Sequence, residues 1–328
     1  VRNDTLHVES NAVDVDLFLG ANRGTDTFNI AEPTEDLDNV PGEIILSGDN
    51  AGSTTTDVDT VNVHDANGTG PDRYTIDTPS HIETRIAKGP GSFVQYTGID
   101  TSLLTAGRGD NRISIPWIAE GQDLTVHGGP GNDTFLVGAV ETIFPVSGSI
   151  TLRGGGGSND RLTVTDTASN VGTYTVTRNS VRRTDILPVS YFGMDKLFLS
   201  VNRGDNLVNV RSTNPNTTVV VGTGDGDDHV RIIRPSSRVN VFGGANGTAG
   251  DRVTVVGGTG NDTFRVYGES IERDSTVVQT FDVELRVING AAGNDQVIAR
   301  GTVGTDEVFR ITPRATVPNS GHLRTGVY

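Results

Sequence analysis

The sequence predicts an all-β repeat fold, a parallel β-solenoid or β-helix with a coil period of about 22 positions. Three observations predict it: a strand-and-turn composition, a short Gly-Asn-Asp repeat at regular spacing, and a longer repeat of about 90 residues above it. The 328 residues are 34% hydrophobic but only 5% aromatic, with 42 Gly and 13 Pro. Gly and Pro disfavour helix interiors. Val, Thr and Ile favour strands, and Gly, Asn and Asp favour tight turns.

The short repeat is a Gly-rich turn, then Asn-Asp or a relative, then alternating apolar residues. Its clearest copies run from Gly128 to Val137 and from Gly257 to Val266, with looser copies around Asp26, Asp110, Asp160, Asp205, Asp228, Asp251, Asp295 and Asp306. Asp110 to Asp133, Asp205 to Asp228 and Asp228 to Asp251 are spaced alike, about 23 positions each. Asp251 to Asp262 and Asp295 to Asp306 are spaced at about half that, near 11. A period near 22 with a half-period near 11 suits a coil of two or three short strands.

The longer repeat matches Tyr96–Asn111 with Tyr191–Asn206 at a constant offset of 95. Related starts fall near Ala12 and Phe281. The expected organisation is therefore residues 1–9 as the end of a preceding coil, modules at 10–95, 96–190 and 191–279, and a shortened module at 280–328. Alternating segments such as Leu124-Thr125-Val126 send every second side chain inward, and only stacking buries that face. A string of β-sandwich modules is the alternative fold, since about 90 residues also suits one sandwich. The regular short spacings favour the solenoid.

The net charge of −15 repels nucleic acid and anionic lipid, so neither is an expected partner. Lysine is nearly absent, with only Lys88 and Lys196. The absence of cysteine excludes disulfides, thiolate zinc sites and a Cys nucleophile. No apolar run is long enough for a membrane-spanning helix. The chain begins at Val1 rather than Met, which suggests a mature or excised segment.

The decads at Gly128 and Gly257 fit Gly-Gly-x-Gly-x-Asp-x-apolar-x, and Thr223–Val230 and Gly290–Val297 are near relatives. They resemble the RTX, or haemolysin-type, calcium-binding nonapeptides of secreted bacterial proteins. In style the chain resembles the Gly-Asn-Asp repeat regions of bacterial surface proteins. That resemblance implies an extracellular location and Ca2+ as the cofactor. Its metal candidates here are Asp110, Asp133, Asp160, Asp205, Asp228, Asp251 and Asp262. The good copies stand alone rather than in tandem, and one Asp falls short of six to eight oxygens. Stacked coils would supply more by aligning Asp110, Asp133 and Asp160, or Asp205, Asp228 and Asp251. The competing expectation is that these residues form turns and cap their own backbone.

No catalytic constellation is visible. The six histidines (His7, His64, His81, His127, His229, His322) are scattered, the Gly-rich segments do not lead into helices, and no Gly-x-Ser-x-Gly elbow occurs. A polysaccharide lyase or hydrolase on a β-helix is the enzymatic alternative, but a site built once should break the repeat, and no such break is seen. Asn-x-Ser/Thr sequences at Asn3, Asn67, Asn132, Asn216, Asn246 and Asn261 are glycan candidates. Both ends stop in mid-pattern without a cap. The expectation is a structural or adhesive, non-enzymatic segment of an extracellular fibre or surface layer. Its partner would be itself, head to tail, or neighbouring repeats of a longer chain.

Overall fold

A computed structural model describes the chain apart from residues 1, 13–14, 22, 49–56, 81, 119–120, 139–147, 167–170, 185, 202, 246, 301–323 and 328, with backbone only at 324–327. The chain divides into two units. The first is Val1–Asp166 with Asp185–Leu197, and the second is Thr167–Thr184 with Phe198–Tyr328.

In the first unit one sheet holds β1 (Thr5–Val8), β3 (Thr27–Ile30), β5 (Thr60–His64), β9 (Thr101–Thr105), β11 (Asp123–Gly129), β13 (Ser149–Gly155) and β17 (Val189–Phe192), all parallel. The other sheet runs β2 (Leu17–Gly20), β4 (Glu43–Ser47), β8 (Ser92–Thr97), β7 (Glu83–Lys88), β6 (Arg73–Ser80), β10 (Arg112–Ile115), β12 (Thr134–Val137) and β14 (Arg161–Thr165). Among these described strands only β7 is antiparallel to its neighbours.

The second unit is built alike. One sheet holds β16 (Ser180–Arg183) antiparallel to β15 (Thr173–Thr177), then β19 (Leu207–Val210), β21 (His229–Ile232), β23 (Arg252–Val256) and β27 (Leu285–Asn289) in parallel. In the other, β20 (Thr218–Gly222), β22 (Val239–Phe242) and β26 (Thr276–Phe281) are parallel, β25 (Ser270–Arg273) is antiparallel, and β24 (Thr263–Tyr267), β28 (Gln296–Arg300) and β29 (Arg324–Val327) are parallel again. The strand β18 (Lys196–Ser200) carries the chain from the first unit's segment into the second.

The chain is thus the all-β solenoid that the repeats predict, with two strands per coil on alternate sheets. The parallel neighbours exclude the sandwich alternative, whose strands pair antiparallel. In tight coils the partner lies 22 or 23 positions on, as Asp26 does from Asp4 and Asp251 from Asp228. Thr5 accordingly stands beside Thr27, and His229 beside Arg252. Alternation fixes the core. Val61 and Val63, Leu124 and Val126, and Phe135 and Val137 are buried, while the residues between them are not. No α-helix occurs among the described residues, and none there is long and apolar enough to cross a membrane.

Some coils carry an inserted hairpin. The meander β6–β7–β8 stretches the advance from Asp59 to Asp100 to 41 positions. Its first strand leads forward and its last returns beside β4, so β9 resumes next to β5. β15–β16 and β24–β25 repeat the hairpin. The first strand of each hairpin carries a fully buried ring, Tyr74, Tyr174 and Phe264, while Phe28 and Phe135 fill the core of plain coils in β3 and β12.

Candidate functional site

The acidic residues that the repeat singles out sit where each strand begins, and the stack gathers them into columns. Before the first sheet of the first unit stand Asp4, Asp26, Asp59 and Asp100. Before its second sheet stand Asp72, Asn111, Asp133, Asp160 and Asp195. In the second unit the columns are Gly172–Asn206–Asp228–Asp251–Glu284 and Asp262–Asp295.

One pattern runs through all four columns. Each side-chain oxygen accepts the backbone N–H of the preceding member. Asp133 Oδ1 accepts from Asn111 N at 2.8 Å, Asp160 Oδ1 from Asp133 N at 2.8 Å, and Asp251 Oδ1 from Asp228 N at 2.8 Å. The next residue's N–H then returns to the preceding member's carbonyl, as Arg161 N does to Asp133 O at 2.8 Å. A parallel ladder ends where the chain turns away, because the carbonyl that should accept the next N–H is gone. An Asp or Asn side chain places an oxygen there and carries the ladder one residue round the corner. These residues therefore cap the neighbouring coil's backbone, and some also cap their own turn: Asp262 Oδ2 accepts Gly258 N at 2.6 Å and Asp251 Oδ2 accepts Gly244 N at 3.1 Å.

A second set of side chains points the other way. Asp110 Oδ1 accepts Asn132 N at 2.7 Å, Asn132 Oδ1 accepts Ser158 N at 3.1 Å, Asp205 Oδ1 accepts Asp227 N at 2.9 Å, and Asn261 Oδ1 accepts Asn294 N at 2.8 Å. The Asn-Asp dipeptide thus ties its coil to the coil before through the second residue and to the coil after through the first.

The candidate metal residues divide accordingly. Asp133, Asp160, Asp228, Asp251 and Asp262 lie in the inner columns, and Asp110 and Asp205 lie in the outer set. The expected alignment of Asp110 with Asp133 is corrected by one residue. The β10–β12 register sets Asn111 beside Asp133 and Asp110 beside Asn132, and likewise Asn206, not Asp205, heads the column of Asp228. Asp306 lies outside the described residues.

Burial sets the electrostatics. It pushes the Asp133 carboxyl up to about 7, with Asp160 and Asp110 adding to it against the Asn111 N–H. Asp228 is pushed up to about 6 by burial, with Asp251 adding. Asp160 and Asp251 are raised by burial too. The exposed Asp227 goes the other way: N–H groups of Ala249 and Gly250 hold it below the usual carboxylate range. The second oxygens of Asp26, Asp133 and Asp228 are buried without a hydrogen-bond partner. Asn111 indicates what such a place suits, because its Nδ2 donates to Gly107 O at 2.9 Å and Gly128 O at 3.1 Å. A protonated Asp133 Oδ2 offers the same kind of donor. The glycines make room for it: a methyl group on Gly128 would lie 2.4 Å from Asp133 Oδ2 and 2.6 Å from Gly154 O. Gly154 is crowded alike by Asp160 Oδ2 and Gly193 O. Clearance for a buried carboxyl accounts for the Gly that recurs before these turns.

Among the described residues this donor set does not fit calcium: one oxygen of each of these inner carboxylates already accepts an N–H group, and no three or more of His, Asp and Glu gather to hold a metal. The histidines remain apart. His7 Nδ1 meets Glu32 at 2.9 Å and His229 meets Thr254 Oγ1 at 2.9 Å, and burial lowers His127 and His229. His81 and His322 lie outside the described residues. Of the glycan candidates, Asn3, Asn132 and Asn261 use their Oδ1 on a neighbouring coil, and Asn67 bonds Thr34 O and Arg108. Asn216 is exposed, and Asn246 lies outside the described residues. The signal that the sequence carried but spacing misassigned is the order within the dipeptide, which decides inward from outward. No family model matches the chain, and no curated protein matches it.

Proposed function

We propose that the chain is a structural, non-enzymatic segment of an extracellular fibre or surface layer, in which like coils continue the stack beyond β1 and β2. The observation that carries this reading is the open edge of those strands. Leu6, Leu17 and Leu19 are only half-buried, although their register partners Phe28, Ile44 and Leu46 in the next coil are fully buried. A cleft of about 500 Å3 opens between these strands. The Asp4 carboxylate stands where Asp26 and Asp59 each receive an N–H from the preceding coil. An apolar face and a column of acceptors left open at one edge suit a further coil of the same kind, whether from a second copy or from adjoining repeats. Inner carboxylates committed to backbone N–H groups support a structural role over a catalytic or calcium-dependent one.

Electron microscopy of the native protein tests the proposal. Filaments or laterally ordered arrays are expected, and isolated compact monomers of the full-length native chain refute it.

A further inference from the structure

Each hairpin sets a cation across from an aromatic ring: Lys88 opposite Tyr74, Arg183 opposite Tyr174, and Arg273 opposite Phe264. Arg273 directs its guanidinium to Asp262 at 3.0 Å and to the carbonyls of Ile233 and Val256 at 2.9 and 3.0 Å. At 88 the cation is one of the chain's two lysines. A guanidinium is no nucleophile at neutral pH, whereas an amine is one as soon as it gives up a proton.

The surroundings of Lys88 are those of a condensation. Its side chain is 8% exposed, with Nζ 2.9 Å from Asp65 Oδ2, 2.6 Å from Asp38 Oδ1 and 3.4 Å from Asp72 Oδ2. Asp65 is fully buried. Its Oδ1 accepts the Leu37 N–H at 2.8 Å, and its Oδ2 accepts the Tyr74 hydroxyl, whose oxygen accepts the Gly107 N–H at 3.2 Å.

We propose that Lys88 and Asp65 condense into an intramolecular amide, a covalent tie between the residue that follows β5 and the last residue of β7. The ammonium passes one proton to Asp65 Oδ2, leaving a neutral amine beside a carboxylic acid. The nitrogen lone pair attacks Asp65 Cγ, and the charge that develops on Oδ1 faces the Leu37 N–H. Asp72 takes a second proton from the nitrogen and delivers it to Oδ2. The Cγ–Oδ2 bond breaks and one water leaves. One N–C bond forms, one C–O bond breaks, and ammonium and carboxylate charges cancel without oxidant or cofactor. Burial favours the acid form of Asp65 by raising its carboxyl above the ordinary range. It also disfavours the ammonium, but Asp38 and Asp65 hold Lys88 above its ordinary range, so the neutral amine is a minor species and the reaction is slow. A reaction run once in the life of a chain tolerates a slow step. The product supplies a covalent staple to a chain without cysteine.

Intact-mass and tandem mass spectrometry of the purified full chain test this. The expected mass is that of the sequence less one water, with a branched peptide joining Lys88 to Asp65. Lys88→Arg restores the full mass, and it is the mild variant because Arg fills this register position at 183 and 273. Linear peptides carrying a free Lys88 and a free Asp65 overturn the proposal. A missing water that maps elsewhere, such as a succinimide at Asp225-Gly226, overturns it equally.

Discussion

Asp133→Asn isolates what a buried carboxyl does in a column. The amide keeps an oxygen to accept the Asn111 N–H now held at 2.8 Å. It also turns the unpartnered Oδ2 into an N–H2 donor of the kind that Asn111 already uses toward Gly107 O and Gly128 O. In the folded chain the Asp133 carboxyl titrates near 7, against an ordinary value of 3.8. A raised acid contributes stability that is complete below the unfolded value and is lost as pH rises through the folded value. Across that window of roughly three pH units, about 1.36 kcal/mol each, the ceiling is on the order of 4 kcal/mol. Denaturant and thermal melts of both proteins at about pH 4.5 and about pH 8 read the difference, because the self-repulsion of an acidic chain is nearly common to both. The variant is expected to match the wild type in acid and to exceed it by about 1–4 kcal/mol at the higher pH. A variant that is less stable at about pH 8, or a gap that does not grow with pH, refutes a column holding protonated aspartate.

The other predictions concern clearance and metal. Gly128→Ala sets a methyl group 2.4 Å from Asp133 Oδ2 and 2.6 Å from Gly154 O, whereas Gly222→Ala meets nothing within 4 Å. The first is expected to cost about 1–3 kcal/mol in a denaturant melt and the second about 1 kcal/mol at most, and equal losses would count against the clearance argument. Adding EGTA is expected to leave the melting temperature unchanged, because one oxygen of each inner carboxylate is committed to an N–H group and among the described residues no metal-holding cluster forms. A drop reversed by added Ca2+ would show that the chain binds the ion after all.

Local chemistry along the chain dictates the kind of fold. Two-residue alternation in segments such as Leu124-Thr125-Val126 and turns such as Gly131-Asn132-Asp133 are local signals, and their regular recurrence carries one coil to the next. The candidate site was half legible. The Asp residues were picked out, but only pairing decides which member of each dipeptide turns inward. Inserts change the advance from 22 between Asn111 and Asp133 to 27 between Asp133 and Asp160 and 33 between Asp251 and Glu284. Even in the tight coil, counting from Asp to Asp misses the true advance of 22 by one, which is enough to exchange Asp110 for Asn111. The folding back of β6–β8, and with it the meeting of Lys88 with Asp38, Asp65 and Asp72, left no periodic trace. Those contacts join residues far apart along the chain, and they exist only because neighbouring strands hydrogen-bond in one register. Strand and turn are written residue by residue, but burial and the partners of each buried charge belong to the stack.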